Sequence, residues 1–189
     1  SRTLFLLLIP VLALILVQGG SLADDDALAR GPRIVEIPIT GTIEMGLAPF
    51  VERAIFEAEN DGADLLLFRV DTFGGRIDAA VEIKDAILAT NLPSVAWVEG
   101  RAISAGALIS LSANTLVMNE GASIGAATPV QMSPGGEAKE TSEKTVSYMR
   151  GEMRATAEAT GRDARLAEAM VDADIAIAGV IETGKLPTL

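Results

Sequence analysis

The sequence contains no cysteine and no histidine. Without cysteine there is no disulfide, thiolate nucleophile, zinc–thiolate site or iron–sulfur cluster. Without histidine there is no Ser-His-Asp or Cys-His catalysis, and the commonest zinc ligand is gone. Any proton transfer has to run through Lys, Asp, Glu or Tyr. Aromatics are scarce, at 4% of 189 residues, and positive charge is short. The 15 Lys and Arg stand against 26 Asp and Glu, a formal charge of −11. A phosphate backbone binds to a basic face, so this balance argues against a nucleic-acid partner. No cofactor and no metal is implied. What is there is globular: 49% hydrophobic residues in the length of one domain, with no low-complexity bias.

Residues 4–17 read LFLLLIPVLALILV, with Arg2 just upstream and Ser21 and Ala23 beyond. A cationic start, an apolar stretch and small residues after it have the form of a secretory signal peptide. The stretch is shorter than the ~20 residues that cross a bilayer; an uncleaved anchor is the alternative. Residues 1–23 are therefore expected to be a signal peptide or N-terminal anchor, and residues 24–189 an exported domain. The chain starts without Met and stops at Leu189, which reads as a fragment expected to continue into further, membrane-spanning protein.

Along the rest, strand and helix patterns alternate. Strands are predicted over 33–39, 64–70, 94–98 and 115–118 from β-rich and apolar runs. Thr40-Gly41-Thr42 reads as a turn. Helices are predicted from near Pro49 to Asn60, over 77–89, and over 104–112. The first carries the stripe Phe50, Ala54, Ile55 and Ala58, closed by Gly62 in a left-handed cap. Residues 71–76 and 100–103 read as loops, and 129–142 as a turn-rich, mobile stretch. Two more helices follow, over 141–160 and 163–171. The alternation predicts an α/β fold of βαβ units with largely parallel pairing.

Three features could carry chemistry. Gly74-Gly75 directly follows a strand, where open α/β sheets bind ligands, and glycines let a ligand approach the backbone. A plain strand-to-helix turn explains the pair equally. Ser104, in Gly100-Arg101-Ala102-Ile103-Ser104-Ala105-Gly106-Ala107, stands between a strand and a helix. The free N–H groups of a helix start favour an alkoxide or an oxyanion there. Ordinary helix capping is the competing reading. The third feature is a base. Of the four lysines, Lys84 sits mid-helix and reads as a solvated or snorkelling side chain, Lys139 lies between Glu137 and Glu140, and Lys185 is near the end. Lys144 opens a helix on a stripe with Tyr148, Gly151 and Ala155. Small neighbours would let it press against the fold and lose water, as a lysine base requires. A surface lysine in a first turn is the bland alternative.

Taken together, these segments resemble a known family. Asp71-Thr72-Phe73-Gly74-Gly75 is similar to the D-T-P-G-G element of NfeD-type membrane-bound serine proteases, relatives of the Clp protease proteolytic subunit and signal peptide peptidase A. The segment around Ser104 resembles their nucleophile motif. Ser123-Ile124-Gly125-Ala126-Ala127-Thr128-Pro129-Val130 resembles the segment after it, and Lys144 to Gly161 the helix carrying the catalytic lysine. The resemblance implies a Clp/crotonase-like spiral of βαβ units, with Ser104 as nucleophile and Lys144 as general base. It implies an oxyanion hole from the Gly75 and Ala105 N–H groups, and substrate contacts at Gly74, Arg76 and Ile77. It further implies a membrane-associated, oligomeric endopeptidase on the extracytoplasmic face, cleaving hydrophobic segments of a peptide or protein partner such as a stomatin-like membrane protein. Phe73 stands where Pro is usual, which leaves the Gly75 N–H less fixed. Ile103 replaces a small residue and would narrow the site. Two other readings stand beside this one: a crotonase-like enzyme acting on acyl-thioesters, and a non-catalytic scaffold that binds a membrane partner by strand addition.

Overall fold

The computed structural model describes residues 31–133 and 138–189; the stretch read as a signal peptide or anchor lies outside them. Strand β1 spans Ile34–Ile43, helix α1 Leu47–Asn60, and β2 Leu65–Gly75. Then come α2 (Ile77–Ala89), β3 (Ser94–Ile103) and α3 (Ala105–Ser112). Strands β4 (Thr115–Met118) and β5 (Ser123–Gly125) follow. Strands β6 (Val130–Met132) and β7 (Ala138–Glu140) lead into α4 (Glu143–Ala159) and α5 (Ala164–Ala169).

The sheet is parallel throughout, in the order β1-β2-β3-β4, as the βαβ alternation predicts. β4 pairs with Val95–Val98 of β3, and β5 takes over the same edge at Arg101–Ile103. β1 lies at the other edge, which accommodates Pro38 and its missing N–H. Along β2 alternate residues are buried, with Leu66, Phe68 and Val70 wholly inside. Helix α3 is buried at every position from Ala105 to Ser112, as expected of a helix apolar all round.

The strands run further than the sequence pattern suggests. The predicted turn at Thr40–Thr42 lies inside β1, and the predicted loops 71–76 and 100–103 are largely the ends of β2 and β3. The reason is a pair of bulges. The β1–β2 register slips between Thr40 and Thr42, and the β2–β3 register slips between Val70 and Thr72. A bulge takes up an extra residue and bends the strand without ending it. Gly41, at φ 74°, sits in the first of them.

Helix α2 matches its predicted bounds. In α1 the inward face is Ala48, Val51, Ile55 and Ala58, with Ala54 packed beside it; of the predicted stripe only Phe50 fails, since it is exposed and Val51 takes its place. Gly62 does take the left-handed conformation, at φ 69°. In the stretch expected to be mobile, β6 and β7 pair antiparallel. Helix α4 buries Met149, Met153 and Ala157, and its start is capped by Ser142, whose hydroxyl accepts from the Thr145 N–H. No helix among the described residues is long and apolar enough to cross a membrane.

Candidate active site

The carboxyl ends of β2 and β3 meet where both strands bend. Ser104 makes the turn from β3 into α3 with φ 57° and ψ −119°, a conformation that disfavours any residue with a Cβ. A turn this sharp raises the side chain off the strand end, as nucleophile elbows do. Its N–H donates to the Gly125 carbonyl at 2.9 Å, and its own carbonyl accepts from the Ala107 N–H at 2.9 Å. Both backbone groups are thus tied down, and the hydroxyl has no hydrogen-bond partner among the described residues. Ala105 opens α3, so its N–H has no acceptor within the helix.

Glycine is obligatory beside this turn. A Cβ on Gly74, at φ 101°, would stand 2.7 Å from the Ser104 Cβ and 3.2 Å from the Ala105 nitrogen. A Cβ on Gly75 would stand 2.2 Å from the Ile43 carbonyl oxygen. The end of β2 therefore passes between the β1 backbone and the serine turn with no space for side chains.

A cleft of ≈ 930 Å³ opens here. Ser104, Gly74, Gly75, Arg76 and Ile77 line one wall, and Val130, Gln131, Thr145 and Tyr148 line another. Its surface carries Phe73, Val130 and Tyr148, which are 74%, 57% and 49% exposed. The Arg101 guanidinium lies 4.7 Å from the centre of the Phe73 ring, a cation–π contact. Ile103, expected to narrow the site, is not among the lining residues. A second hollow, ≈ 940 Å³, is lined by Arg165 and residues between 176 and 185. Its lysine, Lys185, is paired with Glu182 at 3.0 Å.

Six of the seven sequence-predicted site residues therefore gather at one place: five line the cleft, and Ala105 lies against Gly74. Lys144 does not join them. It is exposed on the first turn of α4, and no hydrogen bond or ion pair among the described residues joins it to Ser104. Thr145 and Tyr148, on the same helix, do line the cleft. The stripe expected to press Lys144 against the fold does not form, since Lys144, Tyr148 and Ala155 are exposed and Gly151 is half-buried.

The buried lysine is Lys84, which the sequence pattern places at the surface. It is 8% exposed, with Nζ 2.6 Å from Asp85 and 2.8 Å from Glu152 of α4. Burial pushes its pKa down, but hydrogen bonds to the two carboxylates outweigh this and hold it above the usual 10.5. Lys84 is accordingly a charged tie between α2 and α4, the reverse of a base. Tyr148 is the cleft residue whose role the sequence left open. Burial, then the Glu152 carboxylate, push its hydroxyl above 10.0, so it faces the cleft as a neutral group.

The NfeD1b N-terminal domain family matches residues 33–189. The chain belongs to the NfeD1b family. It is 34% identical over 150 residues to the membrane protein NfeD1b of Bacillus subtilis, covering 79% of this chain and 33% of that protein. It is 32% identical over 130 residues to the membrane-bound protease PH1510 of Pyrococcus horikoshii, covering 67% of this chain and 30% of that one. This NfeD1b-family chain thus spans about a third of the length of those curated relatives. Among solved structures, it resembles a serine-to-alanine mutant of the 1510-N membrane-bound stomatin-specific protease, with TM-score 0.69 and 30% identity over 74% of this chain and 70% of that one. A lysine-to-alanine mutant of the same protease, in complex with a substrate peptide, gives TM-score 0.70 and 29% identity, covering 75% and 67%. ClpP1 of Listeria monocytogenes, at 23% identity and TM-score 0.54 over 70% of this chain and 76% of that one, shares the fold. The NfeD1b-family domain has a ClpP-like α/β fold.

Proposed function

We propose that this domain is a serine endopeptidase, with Ser104 as nucleophile and Lys144 as general base. The observation that carries it is the Ser104 turn: a strained serine with a free hydroxyl, packed against Gly74 and followed by the open Ala105 N–H, at the floor of a long cleft. In the cycle Lys144 takes the hydroxyl proton and Ser104 Oγ attacks the scissile carbonyl. The Gly75 and Ala105 N–H groups hold the oxyanion. Collapse of the tetrahedral adduct breaks the C–N bond, and the proton passes to the leaving amine. Water, deprotonated by the same lysine, then hydrolyses the acyl-enzyme. The solved relatives support these roles: a serine was replaced in one and a lysine in the other, separated by nearly the length of chain between Ser104 and Lys144.

Lysine works as a base only after shedding water, and Lys144 is exposed in the empty cleft. The bound peptide itself supplies the cover, by lying along β6 and the first turn of α4, with Gly74, Arg76 and Ile77 holding its other side. The exposed Phe73, Val130 and Tyr148 favour apolar side chains. The proposed substrate is therefore a hydrophobic segment of a membrane-associated, stomatin-like protein, as the name of the solved 1510-N stomatin-specific protease suggests. Within this reading residues 1–23 export the domain, which works at the outer face of a membrane as a homo-oligomer. Turnover of an apolar fluorogenic peptide by Ser104→Ala and Lys144→Ala variants tests the reading. Both are expected to lose at least 10³-fold, and activity retained by either variant ends the assignment of that residue.

A further inference from the structure

The register slips of the β1–β2 and β2–β3 ladders, whose extra residues lie on β2 and β3, meet at Thr72. At this level neither ladder keeps its register, so the backbone groups beside the bulges need other partners. Thr72 is 2% exposed, and its hydroxyl supplies two of them. It donates to the Gly41 carbonyl at 2.5 Å and accepts from the Gly74 N–H at 2.9 Å. The methyl of the same side chain fills the opposite space: a Cβ on Gly106 of α3 would stand 2.5 Å from the Thr72 Cγ2. One residue therefore ties Gly41 of β1 to the Gly74–Gly75 segment and packs it on the helix that follows Ser104.

From this geometry we propose that Thr72 is a positioning residue for the oxyanion hole: its hydroxyl sets the Gly74–Gly75 backbone against the Ser104–Ala105 turn. Phe73 stands where a proline would stiffen this segment, and Thr72 does that work by hydrogen bonding. The inference rests on the endopeptidase reading for its effect on rate, but not for its effect on the Gly74 backbone. A misplaced donor of this kind lowers transition-state binding more than substrate binding.

The test compares Thr72→Val, which keeps the shape and loses the hydroxyl, with Thr72→Ser, which keeps the hydroxyl. It measures kcat and KM on an apolar peptide, affinity for a peptide aldehyde that forms a tetrahedral adduct, and hydrogen exchange at the Gly74 amide in the full chain. In Thr72→Val, kcat and aldehyde affinity are expected to fall by about 10–100-fold, with KM within about twofold. Gly74 exchange is expected to quicken at least tenfold, because its N–H loses its acceptor. Thr72→Ser is expected to recover kcat to within about threefold. Wild-type kcat and Gly74 exchange in folded Thr72→Val overturn the proposal, and so does Thr72→Ser as impaired as Thr72→Val. If Thr72→Val does not fold, Thr72→Ser against Thr72→Ala decides by the same readings. A wild-type protein that turns over no peptide removes the endopeptidase reading, while Gly74 exchange still decides the positioning role.

Discussion

At Ser104 backbone strain and proposed chemistry fall on one residue, and the two can be separated. Its φ of 57° and ψ of −119° suit glycine, and a residue with a Cβ held in such a region costs about 1–3 kcal/mol. Ser104→Gly removes the Cβ and the strain with it. The glycine also loosens the unfolded chain, which takes back about 0.4–1 kcal/mol. The net expectation is a gain of about 1–2 kcal/mol. For a chain of this size 1 kcal/mol moves Tm by about 2–4 °C, so Ser104→Gly should melt about 2–8 °C above wild type. Ser104→Ala keeps the Cβ and the strain and loses a hydroxyl that has no hydrogen-bond partner among the described residues. It should therefore melt within about 2 °C of wild type. Both variants should be inactive. Thermal unfolding followed by circular dichroism in one buffer, with peptide turnover on the same samples, makes the comparison. A Ser104→Gly protein no more stable than Ser104→Ala would show that the turn is unstrained and that the argument from backbone geometry to a nucleophile is wrong.

Gly74→Ala should do the opposite: a Cβ 2.7 Å from the Ser104 Cβ at φ 101° should lower Tm by about 4–10 °C and turnover by about 10²-fold, and wild-type values for both would contradict the close packing. Lys84→Met leaves Glu152 without its cation in a site where the two side chains are 11% and 20% exposed, and should cost about 3 kcal/mol in urea unfolding at pH 7. Because the Lys84 pKa is raised on folding, its contribution is fully present below 10.5 and fades as pH climbs through the higher folded value. Wild type should lose this increment in alkaline solution and Lys84→Met should not; parallel pH curves would refute the charged tie. Reductive methylation of Lys144 should slow at least fivefold when Ser104→Ala is saturated with peptide, with Lys185 unchanged as the internal control. Mass spectrometry showing equal labelling with and without peptide would remove the proposed cover over the base.

The helices were legible where local signals stand at both ends. Arg76 and Thr90 flank α2 in extended conformations, and Pro93 breaks the chain soon after, so its bounds follow from the sequence alone. The inward face of α1 was legible at Ile55 and Ala58 but not at its start, because Phe50 and Val51 are neighbours and bulk favours phenylalanine, whereas the fold buries the smaller, branched valine. Strand ends were misread for a related reason. Thr40-Gly41-Thr42 and Asp71-Thr72-Phe73-Gly74-Gly75 have turn composition, and only the neighbouring strands decide whether such residues turn or bulge.

The same division between local and distant signals separates the parts of the site. Gly74, Gly75, Ser104 and Ala105 lie at two strand ends, so their meeting follows from parallel pairing of β2 with β3 once the fold is granted. The lysines do not follow in this way. Whether an amine is buried depends on what packs over it, and the carboxylate that draws Lys84 inward comes from Glu152, 68 residues along the chain. A buried lysine between carboxylates stays protonated, which disqualifies the one amine that burial alone would select as a base. Lys144 has the opposite profile: exposed and without an ion pair among the described residues, one residue before Thr145 on the cleft wall. For such a group the missing desolvation has to arrive with the substrate. On the proposed reading the base would stay inactive until a peptide lies between β6 and α4, so that serine activation and substrate binding become one event.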